Sequence, residues 1–506
     1  MRTMAEKYVL GVDVGTQGVK AAIFAKSGSI AGSGFRSSEL IQPEPGVTEE
    51  EPDLQYQNVC ASVRDSLRSG GVDPGEIVAI ALDGQMAGVL GIDENGNAVT
   101  PYDSWLDTRC APQIKHMRAV ALREVTARTG NAPSFNHGPK ILWWREERPQ
   151  VYQRIAKFVQ PTGYIALRLA GLRGDEAFID HTYLHFSGFA DNTRSEWSDS
   201  LLDMFDVRHD LLPRIVRPTD WIGSVSVAAA AETGLAPGTP IFAGTGDTAA
   251  SFLAAGAVEP GICVDVSGTA SVFAATTTEM TPDTIDGMLG VGQSAVPGLW
   301  HPYAYINGGG MNLEWFKTLA ESMRGTSISF EELNDLGAAV TPSQDLPLFI
   351  PHLAGRMSPS DPDMRGAWLG LNWSHSPGAL YRAILESVAL EYELYKERLL
   401  TTNPEQTVRE LRNTGGGNSS SLWRKIKADT LGVPVVEIPD FSGATHGVAM
   451  VAAVGVGLYN SVQEVARQWV ATGEITKPDE TVRSLSQGRF TQYRRAIEAA
   501  RRYAQS

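Results

Sequence analysis

LGVDVGTQGVK, Leu10 to Lys20, sets an aspartate inside an apolar, β-branched run and follows it with glycine, threonine and lysine. A buried strand has no cheap place for a carboxylate, because an unpaired charge is costly to take out of water. Asp13 therefore needs a partner. The design recurs at mid-chain in ICVDVSGTASVFA, Ile262 to Ala274, where V-D-V again precedes small residues and a threonine. Taken alone, either stretch also reads as a hairpin glycine beside a satisfied core aspartate. Two copies half a chain apart, at Asp13 and Asp265, point to two related halves that each open on such a hairpin.

The surrounding pattern predicts alternating strands and helices. YVLGVDVG is a strand, and VKAAIFAKSGSIAGSGF gives a second and a third joined by a Ser-Gly turn. QYQNVCASVRDSL carries apolar residues at helical spacing. IVAIALDG, Ile77 to Gly84, is an apolar strand that ends in the loop GQMAG. Apolar strands that end in glycine or polar loops, with helices between them, define an α/β architecture with ligands at the carboxyl ends of strands. The glycine-dense segment Gly234 to Gly268 straddles the midpoint, so the domain junction is expected there, dividing 1–247 from 248–506.

Composition narrows the partners. A chain of 506 residues with 42% hydrophobic and 20% charged residues has ample core for two or three domains. Its formal charge of −15 argues against nucleic acid or an acidic membrane as the main partner. A local phosphate site built from backbone N–H groups and one lysine stays open. Cys60, Cys110 and Cys263 are far apart and form no CxxC pair, so they read as small buried hydrophobes in a reducing compartment. No signal-peptide core precedes Asp13, and GVAMVAAVGVGLY (447–459) is too short to span a bilayer, so it reads as a buried helix. The expected setting is the cytoplasm. The RRAIEAARRYAQS tail reads as an amphipathic helix with a solvated basic face.

Six further segments stand in a fixed order: GQMAG, PYDSWLDTR, GTGDTAASFLAAGA, INGGGMNLEWF, LPLFIPHLAGRMSPSDPDMRGAWLGL and NTGGGNSSSLWRKIKADTLGVPV. With the paired hairpins, they make the chain resemble the FGGY carbohydrate kinases of the sugar kinase/actin/Hsp70 superfamily, from residue 8 to about residue 455. Among subfamilies the resemblance is greatest to the xylulokinase group. It implies two actin-like (ribonuclease H-like) lobes with a cleft between them, a sugar-binding first lobe, a nucleotide-binding second lobe, ATP and Mg²⁺ as cofactors, and a sugar or polyol as substrate. A homodimer is compatible with it.

The resemblance assigns roles that the chemistry of each residue supports. Gly15 lets the backbone approach a phosphate, Thr16 adds a hydroxyl, Gln17 lies in the same turn, and Lys20 supplies a point charge. Asp13 can hold Mg²⁺ through water. Ser267, Gly268 and Thr269 form the matching loop of the second half. Asp247, set among small residues in GTGDTAA, occupies the position of the family's catalytic base and is also expected at the metal. An N-cap on the following helix is the alternative reading, both can hold at once, and a helix start would keep the carboxylate ionised and lower its basicity. Gln85, Met86, Trp105, Asp107, Arg109 and Thr248 make up the polyol set, in which amide, carboxylate and guanidinium groups pair hydroxyls under an aromatic plane. Trp105 also reads as a core aromatic, and Asp107 with Arg109 as a structural ion pair.

Gly309, Gly310 and Asn312 are placed near the nucleotide phosphates. Gly416, Gly417 and Asn418 are placed against the purine or ribose, although either glycine triplet alone reads as a turn. Three departures stand out: Ala87 where the xylulokinase pattern has His, Thr248 where it has Asn, and Arg356-Met357-Ser358 where the family has Glu-Arg-Thr. The expected activity is transfer of the ATP γ-phosphate to a pentulose, D-xylulose first. Other acceptors (ribulose, glycerol, erythritol, an aldonate) form the alternative. A chaperone-like or filament-forming ATPase is the remote one.

Overall fold

The computed structural model describes residues 6–439 and 442–504. The chain opens as an antiparallel meander of β1 (Tyr8–Val14), β2 (Gly18–Ala25) and β3 (Ile30–Ser37). Helix α1 (Pro52–Gly70) covers this meander and ends at Gly71, whose φ of 60° is the left-handed helix stop that glycine adopts without strain. The chain returns as β4 (Ile77–Gly84), parallel to β1. After a long insertion come α2 (Pro161–Ala170), β5 (Trp221–Ser224), β6 (Pro240–Gly246) and α3 (Asp247–Ala254). The resulting sheet has the order β5-β6-β4-β1-β2-β3, with β6, β4 and β1 parallel.

The scheme then repeats. β7 (Ile262–Ser267), β8 (Ser271–Ala275) and β9 (Trp300–Ile306) form the second meander. Helices α4 (Gly309–Arg324) and α5 (Pro377–Thr402) precede β10 (Glu410–Thr414), which pairs parallel to β7. Next come α6 (Ser421–Leu431), β11 (Val435–Glu437), α7 (Ala444–Gly455) and β12 (Ile475–Thr476). Six of the seven strands of this sheet run β9-β8-β7-β10-β11-β12. Both sheets thus set a meander beside parallel strands and close on an antiparallel edge, as two related halves require.

The chain divides into two compact units. One comprises the chain to Val258 with Val291–Trp300 and Ser442–Val470; the other comprises Glu259–Gly290, His301–Phe441 and the chain from Ala471. The expected cut at 247/248 falls at the head of α3, inside the first unit, which also takes back two later segments.

Side-chain parity explains the cores. On β1, Leu10, Val12 and Val14 face a cluster with Tyr56, Val59 and Val63 of α1. Val9 faces the other side, against Val448, Ala449 and Ala452 of α7. Gly11 shares that side, and a methyl group there would fall on the Thr445 carbonyl oxygen. The small-apolar segment expected to be a buried helix is therefore the cover of the first sheet. In the second unit Cys263 and Phe273 pack with Ile384, Val388 and Tyr392 of α5. Cys60, Cys110 and Cys263 are free and buried.

Candidate active site

The parity that buries Val9 and Gly11 puts Asp13 on the same face at the end of β1. On β4 it puts Asp83 on the face of Ala79 and Ala81. Asp13 and Asp83 are direct neighbours in the parallel register, and Thr245 of β6 lies beside Asp83. Asp247 follows Gly246 at the end of β6. Three carboxylates therefore converge at the carboxyl ends of three parallel strands, where open α/β sheets place their ligands. The hairpin after Asp13 is closed by Gly15 N–H donating to Gly18 O at 3.1 Å, and Lys20 Nζ donates to Ser442 O at 3.0 Å.

Electrostatics differ along this row. Asp83 is fully buried; desolvation and the neighbouring Asp13 push its carboxyl well above the usual carboxylate range. Asp13 is raised by desolvation and partly restored by its neighbours Asp83 and Lys20. Desolvation and repulsion from Asp13 raise Asp247 to about 7. The expectation of a weakly basic Asp247 is corrected here. Gly246 is the N-cap, Asp247 is the first residue of α3, and lost hydration outweighs the helix end together with the Thr248 hydroxyl, which donates to Asp247 Oδ1 at 3.0 Å.

The polyol set is gathered in the same unit. Gln85 continues β4, is buried, and donates from Nε2 to Glu50 Oε1 at 2.6 Å. The Met86 side chain packs against Gly246, where a methyl group would overlap its sulfur. Trp105 is 42% exposed and donates from Nε1 to Thr16 Oγ1 at 2.8 Å. Asp107 accepts from the N–H of Thr48 at 2.9 Å and from Arg109 N and Nε, both at 3.1 Å. Arg109 also pairs with Glu49 at 2.7 Å and Asp103 at 2.6 Å, and its guanidinium lies over the Trp143 ring. Asp107 and Arg109 are thus joined as the ion-pair reading has it, and they brace the loop that carries Trp105.

In the second unit, Gly268 and Thr269 form the exposed turn between β7 and β8. The carbonyls of these two residues accept from Gly310 N and Met311 N at 3.0 and 3.1 Å, which brings the start of α4 onto the turn. A methyl group on Gly309 would strike Ser271, and one on Gly310 the Gly268 carbonyl, so this glycine pair permits the close approach. Gly416 is exposed and a methyl group added there would meet nothing, whereas one on Gly417 would strike Ser267 and Trp423. Helix α6 begins at Ser421 behind an N-cap Ser420. The asparagine amides are engaged within the unit: Asn312 Nδ2 donates to Pro351 O at 2.9 Å, and Asn418 Nδ2 to Ile438 O at 3.1 Å.

The sequence reading missed Asp83, Glu50 and His137. Asp83 had a signal, because LDG at the end of β4 repeats the Asp-x-Gly logic of β1. Glu50 and His137 had none. His137 is buried and donates from Nε2 to the Met86 carbonyl at 2.6 Å, which only long-range packing creates. Arg356 is also explained: it is buried and ion-paired with Glu391 at 3.1 Å, inside the fold of the second unit.

A doubled meander-plus-parallel sheet with carboxylates at the strand ends and glycine turns in each unit is the architecture of the sugar kinase/actin class. The chain matches the FGGY family of carbohydrate kinases, N-terminal domain, over residues 8–254 and C-terminal domain over residues 263–456. It belongs to that family, and it is a sugar phosphotransferase. It is 27% identical to the xylulose kinase of Bacillus subtilis (strain 168) over 469 residues, 92% of this chain and 91% of that protein. It is also 27% identical to the gluconokinase of the same organism, over 91% of this chain and 90% of that protein. The crystal structure of xylulose kinase from Rhodospirillum rubrum superposes with a TM-score of 0.90 at 26% identity, covering 99% of this chain and 100% of that one. The chaperone and filament alternatives fall with this membership. Among the described residues no helix is long and apolar enough to cross a membrane.

Proposed function

We propose that this chain is an ATP-dependent pentulose kinase acting in the cytoplasm, with D-xylulose as its first acceptor and Asp247 as its general base. The observation that carries the reading is the placement of the Asp247 carboxylate at the head of α3, at the carboxyl ends of the parallel strands and beside Asp13; burial there raises it to about 7. A base near neutral pH accepts a hydroxyl proton more readily than an ordinary aspartate does. In the proposed step a sugar hydroxyl loses its proton to Asp247 while its oxygen bonds to the γ-phosphorus. The bond to the ADP oxygen breaks, and ADP leaves with that electron pair. Thr248 orients the base through its hydroxyl. Gln85, Met86 and Trp105 line the acceptor, and Asp107 and Arg109 support Trp105.

The hairpin Gly15-Thr16-Gln17 with Lys20, and the turns at Gly268-Thr269 and Gly309-Gly310, are assigned to phosphates. Gly416 and Gly417 offer a flat backbone surface to a purine, with Asn312 and Asn418 holding the two loops from behind. Mg²⁺ fits beside Asp13 and Asp247, whose mutual repulsion a cation relieves. Among the described residues no group of three or more His, Cys, Asp or Glu is placed to hold a metal ion. Such a sparse donor set suits magnesium, which keeps several waters and binds phosphate oxygens; there it would neutralise the charge of the transferred group.

Ala87 and Thr248 support a second reading, in which the acceptor is another polyol or an aldonate. Thr248 spends its hydroxyl proton on Asp247, and Ala87 has no donor to offer. ADP release with Mg-ATP against a panel of pentuloses, pentitols, glycerol, erythritol and aldonates tests both. Strong stimulation by D-xylulose bears out the first reading, and stimulation by gluconate alone replaces it with the second.

A further inference from the structure

We propose that Trp105 is also a positioning residue for the phosphate hairpin, acting through Thr16. The two residues are far apart in sequence and meet through one hydrogen bond of 2.8 Å, indole Nε1–H to Thr16 Oγ1. An indole nitrogen can only donate, so the direction of the bond is set. The threonine oxygen accepts, and its own proton is turned away from the indole and left to donate elsewhere. In a hairpin assigned to phosphate, that leaves the hydroxyl oriented toward an anionic oxygen before any nucleotide arrives. This inference rests on that assignment.

Both ends of the link are rigidly backed. On the Trp105 side, Lys140 is buried and donates to the carbonyls of Ser104 and Asp107, each at 2.9 Å. The Asp107 carboxylate accepts three N–H groups from Thr48 and Arg109. On the Thr16 side, Gly15 N–H donates to Gly18 O and Ser38 N–H to Gln17 O, both at 3.1 Å. The indole is 42% exposed, so the bond to Thr16, more than burial, fixes its ring. A side chain of the acceptor set therefore orients a hydroxyl of the nucleotide set. The consequence is that nucleotide affinity depends on Trp105 even when no sugar is present.

Calorimetric titration of the full chain with a non-hydrolysable ATP analogue and Mg²⁺, in the absence of sugar, tests this. Trp105→Phe keeps the aromatic plane and removes the donor, so affinity is expected to fall about fivefold to tenfold, the weight of one such hydrogen bond. Thr16→Val should lose at least as much, Thr16→Ser should track the wild type, and Trp105→His, which keeps a ring N–H, should recover part of the loss. The double variant Trp105→Phe with Thr16→Val should bind no more weakly than Thr16→Val alone. Wild-type affinity in Trp105→Phe, or losses that multiply in the double variant, would overturn the link. Failure of D-xylulose to support turnover would strike the acceptor reading alone, because the titration contains no sugar. A wild-type chain that binds no nucleotide would overturn both.

Discussion

At Asp265 the carboxylate meets the Lys427 ammonium, the Tyr392 hydroxyl at 2.6 Å and the Ser267 hydroxyl at 2.8 Å. At the matching place in the first sheet, Asp13 meets another carboxyl group, Asp83. The strand neighbour decides the difference: Asn413 stands beside Asp265 where Asp83 stands beside Asp13. One aspartate is satisfied inside the fold, and the other keeps its demand for a cation, which a ligand can supply. Asp247 shares that acidic corner, and its proposed role makes a direct prediction. Asp247→Asn should lower kcat by about 10²–10⁴-fold while the sugar Kd changes little; near-native turnover in steady-state assays would remove it as the base. The neighbouring departures make another. Ala87→His combined with Thr248→Asn should raise kcat/KM for D-xylulose relative to other pentuloses and aldonates. The substrate ranking of the double variant, compared with that of the wild type, measures whether these two positions set specificity.

Helix α7 lies on the sheet because glycines let backbone meet backbone. A methyl group at Gly11 would strike the Thr445 carbonyl, and one at Gly447 the Ala250 carbonyl, and neither obstacle is a side chain that can turn aside. Gly11→Ala should therefore lower stability by about 1–3 kcal/mol or more, the ordinary range for overpacking, seen as a fall in thermal midpoint. An unchanged midpoint would mean that α7 shifts freely on β1. This element also shows what the sequence makes legible. The V-D-V hairpins, the apolar run of β4 and the apolar character of α7 are local patterns, and local patterns can be read directly. The sheet that α7 covers, the register that sets Asp13 beside Asp83, and the pairing of Arg356 with Glu391 are contacts between distant residues, which no local period encodes. The candidate site divides in the same way. Asp247, Trp105 and the glycine turns carry motifs, whereas Glu50 and His137 reach Gln85 and Met86 only through tertiary packing.

Taken as a whole, the molecule's response to acid is shaped by charges sealed inside it. Glu391 is fully buried, and burial alone would raise its pKa, but Arg356 and His352, with a hydrogen bond from Tyr493 at 2.9 Å, carry it down to about 2. A carboxylate depressed on folding contributes stability that is complete above its unfolded value near 4.5 and is lost as pH falls toward 2. Glu391→Gln should cost about 3–5 kcal/mol at pH 7, because it leaves Arg356 buried without its counter-charge. Its denaturation midpoints should also fall less steeply than those of the wild type between pH 4.5 and pH 2.5. Parallel pH profiles for the two proteins would show that this cluster does not hold a charge.

The path of the chain adds a matter of timing. The first unit includes Ser442–Val470, so one face of its sheet lacks its main cover, α7, until synthesis has passed Val258 by some two hundred residues. At ordinary elongation rates of about 5–20 residues per second, that interval is roughly ten seconds or more. Throughout it, Val9, Phe24 and Phe242 lack the α7 side chains they pack against in the finished fold. A gene cut at the apparent end of the first domain would therefore encode a polypeptide that lacks the lid of its own core.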